Sequence, residues 1–185
     1  MEPAFAVWLT GLPASGKSTV ASHLAEQLAA CGARPAVLES DAWRLVLTPD
    51  ATYGARERDV FYGALVAIGR TLVDHGVPVI FDATANRRAY RDDARRSIRR
   101  FLEVFVECPL ATCMARDRKG TYEKGRQGQS STVPGLQSAY EPPPHPDLVV
   151  HGDRDDPGLA ARRIVARLRE KGFLEPWAPR SSVAS

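Results

Sequence analysis

The sequence predicts an α/β domain: a three-layer α/β/α sandwich around a five-stranded, mostly parallel sheet. Three observations lead there. Apolar runs of strand length alternate with amphipathic runs of helix length, the order that successive βα units produce. Several apolar runs carry no polar alternation, as expected of strands covered on both faces. A Gly-containing turn separates the first apolar run from the first helical one.

Strands are expected at 5–9, 35–38, 78–81, 102–106 and 147–150, with helices at about 16–31, 54–75, 87–99, 110–117 and 156–171. A chain of 185 residues fits one domain, since domains commonly hold about 100–200. The domain is expected over 1–175, and 176–185, rich in Pro, Ser and Ala, is expected to be a flexible tail. Residues 118–146 break the pattern with Lys119-Gly120, Gly125, Gly128, Pro134-Gly135 and Pro142-Pro143-Pro144. So long an irregular stretch, too polar and interrupted for core, reads as a functional lid.

Composition narrows the classes. Hydrophobic residues at 44% and charged residues at 25% exclude a disordered or fibrous chain. No apolar run approaches the roughly 18–20 residues that cross a bilayer, and the N-terminus lacks a basic segment before an apolar one. Cys31, Cys108 and Cys113 are too few and too scattered for a disulfide framework or a zinc spacing. A cytoplasmic protein without a membrane partner is expected. The net charge of +3 is mild, but Arg clusters at 87–100 and 116–126 suit a polyanionic small molecule as well as a solvated helix face.

Gly11-Leu12-Pro13-Ala14-Ser15-Gly16-Lys17-Ser18 matches the Walker A pattern between a predicted strand and a predicted helix, and makes the expected fold a P-loop NTPase. Wrapping a polyphosphate needs glycine where side chains would block the backbone, so that N–H groups converge on the anion ahead of a helix N-terminus. Residues Gly11, Pro13, Ala14, Ser15, Gly16, Lys17, Ser18 and Thr19 are therefore the expected ATP site. Lys17 is assigned to the β- and γ-phosphates and Ser18 to Mg2+. A kinase, a hydrolase and a nucleotide switch all hold nucleotide this way.

Asp41 follows the second predicted strand and Asp82 ends the third, at the sheet edge where α/β proteins bind ligands. A kinase needs one carboxylate for the acceptor hydroxyl and another group for the metal. Asp41 is assigned to the acceptor, with helix capping as a compatible role, and Asp82 to the metal. Arg44, three residues beyond Asp41, shares its helix face and can hold an anionic acceptor or pair locally with Asp41 or Glu39. Asn86, Arg87, Arg88 and Arg91 open a helix after the third strand, a cluster suited to phosphate or sulfate.

Across 101–150, Phe105-Val106-Glu107-Cys108-Pro109-Leu110, Arg116-Asp117-Arg118-Lys119-Gly120-Thr121-Tyr122, Gly135, Tyr140-Glu141 and Pro146-Asp147-Leu148 resemble the adenylylsulfate kinase family in order and spacing. With the Walker A loop and Glu39-Ser40-Asp41-Ala42-Trp43-Arg44, the resemblance spans about 5–170. It implies transfer of phosphate from ATP, with magnesium, to the ribose 3′-hydroxyl of adenylylsulfate. It places Asp41 and Arg44 at the acceptor and Arg116, Lys119 and Arg126 in a mobile lid, where cations close over phosphates and exclude water. Tyr122 and Tyr140 are read as packing the lid onto the domain.

Departures from the family fall on the acceptor side. Glu39-Ser40-Asp41-Ala42 replaces the usual Asp-Gly-Asp-Asn, Ala85-Asn86 replaces Ser-Pro, and Ser131 and Val133 stand where a Lys and an adenine-stacking aromatic are usual. Asp82-Ala83-Thr84-Ala85-Asn86-Arg87-Arg88 also looks like the segment of P-loop kinases that act on polynucleotide ends. Two alternatives stay open: a kinase of the same build acting on a nucleoside, sugar or nucleic-acid end, and a nucleotide switch without transfer. The expected substrate-binding set is Asp41, Arg44, Asn86, Arg88 and Arg126, with Arg116 and Lys119 on ATP. The expected partners are ATP and a small anionic hydroxyl acceptor, with homodimerisation open.

Overall fold

The computed structural model describes residues 4–175, so the tail expected over 176–185 lies outside the described residues. Strands β1 (Ala6–Thr10), β2 (Ala36–Glu39), β3 (Val79–Asp82), β4 (Phe101–Glu107) and β5 (Leu148–His151) pair in the order β2-β3-β1-β4-β5. Every pairing is parallel, so the sheet is parallel throughout. The described helices are α1 (Lys17–Ala30), α2 (Ser40–Leu47), α3 (Ala55–Asp74), α4 (Arg88–Ser97), α5 (Leu110–Ala115), α6 (Thr121–Arg126) and α7 (Pro157–Glu170). None of them is long and apolar enough to cross a membrane.

The strands end one residue later than the apolar runs predict. Thr10, Glu39, Asp82, Glu107 and His151 close them, each a polar residue held in the ladder, and a reading of apolar runs stops one short. These polar ends line the carboxyl edge of the sheet.

Strand periodicity divides each apolar run between two layers. In β1, Val7 and Leu9 face the layer that holds Leu24 and Leu28 of α1 and Ile164 and Leu168 of α7. Ala6 and Trp8 face Phe61 and Leu65 of α3 and Ala94 of α4. Trp8 stacks on Phe81 with centroids 4.5 Å apart, and its indole N–H donates to the Ala83 carbonyl at 3.0 Å. Burying side chains of this size stabilises the fold by about 1.5–3 kcal/mol each. Gly69 lets α3 approach: a Cβ there would lie 2.1 Å from Cζ of Phe81. The gain in contact offsets the roughly 1 kcal/mol of helix propensity that glycine forfeits.

The chain visits β2 and β3 on one side of β1 before crossing to β4 and β5 on the other. This reversal opens a crevice at the carboxyl ends of the central strands, where α/β sheets take ligands.

The lid segment differs from the expectation of an irregular, core-free stretch. The Asp117 carboxylate accepts hydrogen bonds from the N–H groups of Thr121, Tyr122 and Glu123 at 2.8, 2.6 and 3.1 Å, which starts α6 by satisfying its free donors. Tyr122 and Val133 then join Cys108 and Cys113 in a third apolar cluster, packed on Leu12 and Ala14 of the Walker loop. Asp117 and two apolar residues start a helix and a packed cluster in a stretch whose average composition is that of a loop.

The lid returns to the sheet through Asp147. Its carboxylate accepts from Glu103 N at 2.8 Å, Arg95 at 2.8 Å and Lys171 at 2.7 Å. Burial alone would raise its pKa, but the hydrogen bonds from Glu103, Lys171 and Arg95 hold it below the ordinary carboxylate value. A depressed carboxylate stabilises the fold above its unfolded pKa and ceases to do so as pH falls through the folded one. Asp147→Asn is expected to cost about 2 kcal/mol at neutral pH. Thermal melts of the two proteins should converge below about pH 4, and a gap that stays constant into acid would refute the ionic origin.

Candidate active site

The Walker loop joins β1 to α1 at the crevice. Its backbone is pressed so closely against its neighbours that side chains are excluded. A Cβ on Gly11 would lie 2.4 Å from the Val106 carbonyl oxygen of β4, and one on Gly152, after β5, 1.7 Å from the Ser15 carbonyl oxygen. Gly16 has φ 101° and Ala14 φ 59°, left-handed values that for alanine store local strain. Ser15 is fully buried and its hydroxyl is without a hydrogen-bond partner, an orphan of the kind expected where a site awaits a polar ligand.

Lys17 is 8% exposed, and its Nζ donates to the carbonyls of Gly11 at 3.1 Å and Leu12 at 2.8 Å. Burial lowers its pKa, while the negative charges of Asp82 and Asp41 counter that shift. A cation poorly served by water, in a loop of convergent N–H groups, is suited to polyphosphate. Ser18 and Thr19 are exposed in the first turn of α1. Beside the loop, a cleft of about 400 Å³ is lined by Gly16, Thr19, Arg116, Gly152, Asp153 and Asp156 among others. Arg116 spans it, donating to the carbonyls of Gly152 at 2.6 Å and Asp153 at 3.4 Å.

Asp82 is 4% exposed at the end of β3, in register with Leu9 and Glu39. Asp41, in the first turn of α2, is open to solvent and meets the lid: Lys119 Nζ lies 2.6 Å from its Oδ2 and 3.6 Å from Oε1 of Glu39. The Asp41 hydrogen bond is the main cause of a raised Lys119 pKa. Lys119 thus pairs with Asp41, and the charges of Asp82, Asp41 and Lys119 all act on Lys17.

Arg44 pairs with neither Asp41 nor Glu39. It is buried, with NH1 3.3 Å from Oε1 of Glu57 and its guanidinium 3.9 Å from the Phe61 ring centroid and 4.7 Å from that of Tyr53. Glu57 also accepts from Thr52 and Tyr53. Burial would raise its pKa, but the Thr52 and Tyr53 bonds and Arg44 lower it on balance. Tyr53 has φ 56° and is 42% exposed, so one aromatic ring stands open beside Arg44.

Other expected residues lie apart from this cluster. The Asn86 amide donates to Ser138 at 3.3 Å and the Ala139 carbonyl at 3.1 Å. Arg88 is exposed, its backbone N–H donating to the Glu141 carboxylate at 2.7 Å, and Arg126 is exposed in the last turn of α6. Arg91 is buried on Glu103 rather than open to an anion. Val133, at 4% exposure, is packed in the third cluster. Sequence reasoning missed Arg58, which is 7% exposed and donates to the Thr132 carbonyl at 2.6 Å and to Ser138 at 3.1 Å. Its signal was available: Arg58, Phe61, Tyr62 and Leu65 share one stripe of α3, and an arginine on an apolar stripe needs buried partners.

The family profile of adenylylsulphate kinase matches residues 3–151. The adenylyl-sulfate kinase of Synechococcus sp. (strain JA-3-3Ab) is 34% identical over 91% of this chain and 96% of its own. The probable adenylyl-sulfate kinase of Archaeoglobus fulgidus is 36% identical over 82% of this chain and 98% of its own. Among solved structures, the Mycobacterium tuberculosis APS kinase CysC in complex with AMPPNP and APS superposes with a TM-score of 0.85 at 32% identity, covering 91% of this chain and 99% of that one. With a Walker loop, an edge carboxylate and a lid cation meeting over one crevice, and a family match across most of its length, the chain belongs to the adenylylsulphate kinase family, whose members are ATP-dependent kinases acting on a hydroxyl group.

Proposed function

We propose that the chain transfers the terminal phosphoryl group of ATP to the ribose 3′-hydroxyl of adenylylsulfate. The observation that carries this reading is the pair of Lys119 with Asp41 at the sheet's carboxyl edge, near the Walker loop on which Lys17 is anchored. In this reading, two cations and an exposed carboxylate surround the place where a phosphoryl group would change partners. The acceptor oxygen attacks the γ-phosphorus, the bond to the β-phosphate bridging oxygen breaks, and the hydroxyl proton passes to the Asp41 carboxylate. Lys17 spreads the charge that collects on the β–γ bridge and γ oxygens. Lys119, released from Asp41, has phosphate oxygens as its next partners. The cleft beside Gly16 and Arg116 takes the ATP nucleoside.

The hydroxyl of Ser18 and the carboxylate of Asp82 are hard oxygen donors, a small set that suits Mg2+ shared with phosphates and water. Among the described residues no group of three or more His, Cys, Asp or Glu forms a cage of its own. Bound with ATP, the ion neutralises phosphate charge. On the acceptor side Arg44, paired with Glu57 and stacked on Phe61, positions Tyr53, whose open ring receives a base. A second reading, a different hydroxyl acceptor, is favoured by the burial of Val133, which leaves that position without an exposed stacking surface.

Purified protein given ATP, magnesium and adenylylsulfate is expected to form ADP and 3′-phosphoadenylylsulfate one for one. Product at the no-enzyme rate, with ADP release on another acceptor in a parallel screen, would transfer support to the second reading. Lys17→Ala is expected to lower turnover about 10²–10³-fold with an unchanged circular dichroism spectrum. Asp41→Asn is expected to reduce kcat about 10²-fold or more while the KM for ATP stays within a few-fold. Near-normal kcat in that variant would remove Asp41 from its role.

A further inference from the structure

The two halves of the lid are anchored to different things. The outgoing half, 118–131, has one exposed anchor, Lys119 on Asp41, beside the buried Tyr122, whose hydroxyl donates to the Pro13 carbonyl at 3.0 Å, and the Gly125 carbonyl, which accepts from Gln137 at 2.7 Å. The exposed anchor is a contact that substrates would disturb. The return half, 132–141, is tied to interior groups that no substrate reaches. Arg58 holds Thr132 and Ser138, and the Asn86 amide holds Ser138 and Ala139.

Arg91 is the hub of the second set. It is 1% exposed, with Nε 2.7 Å from Oε1 of Glu103 in β4. Its other donors reach the Ala85 carbonyl and, at 2.6 Å, the Glu141 carbonyl. Its guanidinium also lies 5.8 Å from the centroid of Tyr140, whose hydroxyl is 3.0 Å from Oγ1 of Thr10. One planar cation therefore joins a central strand, the turn after β3 and the end of the lid. A lysine keeps the charge but cannot reach three acceptors in that fork.

We propose that Arg91 is a positioning residue: it fixes residues 138–141 as a static wall of the acceptor side, so that lid motion is confined to the residues before that stretch. Arg91 touches no substrate in this scheme and acts through Ala85 and Glu141. The kinetic consequence rests on the acceptor assignment above. The structural one does not.

Amide hydrogen exchange of the ligand-free protein tests it first. The N–H of Glu141, bonded to the Asn86 carbonyl, and of Ser138, bonded to that of Val133, are compared with those of Lys124 and Gln129, bonded within the outgoing half. The return pair is expected to exchange about 100-fold more slowly or better, since only subglobal opening exposes it. Equal rates in the two halves would overturn the proposal. In Arg91→Lys, exchange at Glu141 is expected to accelerate about tenfold, and the KM for adenylylsulfate to rise about tenfold with kcat and the KM for ATP within about twofold. A variant that merely lost folded protein would lower apparent kcat at unchanged KM, and that result counts against the proposal. If Arg91→Lys does not fold, Tyr140→Phe, which removes the Thr10 bond without a buried charge, is expected to shift the same two readouts in the same direction. Unchanged Glu141 exchange in it would equally overturn the proposal. Should the wild type leave adenylylsulfate untouched, the functional reading fails while the exchange comparison still decides this one.

Discussion

Lys17 must remain a cation where water scarcely reaches it, and much of the surrounding architecture serves that requirement. Desolvation favours the neutral amine, and the structure resists it with two backbone carbonyls and the carboxylates of Asp82 and Asp41. Those carboxylates come from β3 and from the start of α2, so the sheet order that places β3 beside β1 also brings to the lysine a charge that counters its desolvation. The close contacts of Gly11 with Val106 and of Gly152 with Ser15 hold the loop from both sides. A site for polyphosphate is here a balance between a buried charge and compensations that arrive from strands far apart in the chain.

The lid extends the same balance. Lys119 occupies the carboxylate of Asp41, so a positive charge from the lid and a negative one from the sheet edge neutralise each other across the crevice. An exposed pair of this kind contributes little to stability, about 0–1 kcal/mol. The contacts of Arg58, Asn86 and Arg91 are different in kind, because they are buried and breaking one strands a polar group. The chain thus holds one half of the lid by an exposed ion pair and the other by buried hydrogen bonds.

The fold was legible because its signals are local. Strand-length apolar runs, the spacing of Gly11, Gly16 and Lys17, and the strand-to-helix setting all lie within short windows of sequence. The donor side of the site is legible for the same reason, since the Walker loop is contiguous. The helix α6 was not resolved as an element, because it depends on a carboxylate four residues upstream of its first residue, and α2, eight residues long, was read only as a helical segment that Asp41 could cap. Tyr122 was read as packing the lid onto the domain, but Val133, an isolated apolar residue amid polar ones, gave no sign that it joins the same cluster. Arg44 illustrates the limit most plainly. Its helix was expected, but its partner Glu57 and its stacking on Phe61 and Tyr53 depend on how α3 lies against α2, which no window containing Arg44 reveals.

That contrast also explains where the sequence departs from its family. The donor loop is held by backbone contacts so close that a methyl group at Gly11 or Gly152 would collide with a carbonyl oxygen, and any change there displaces the loop itself. The acceptor side proposed above draws on side chains of α2, α3, the turn after β3 and the lid, and each can be exchanged while the sheet stays as it is. Val133 shows how: placed in the apolar cluster with Cys108, Cys113 and Tyr122, it packs the lid onto the Walker loop instead of facing outward. The exposed ring nearest Arg44 then belongs to Tyr53. A surface for the acceptor can therefore move from one element to another without disturbing the phosphate loop, because side-chain packing and backbone packing are separate constraints in this fold.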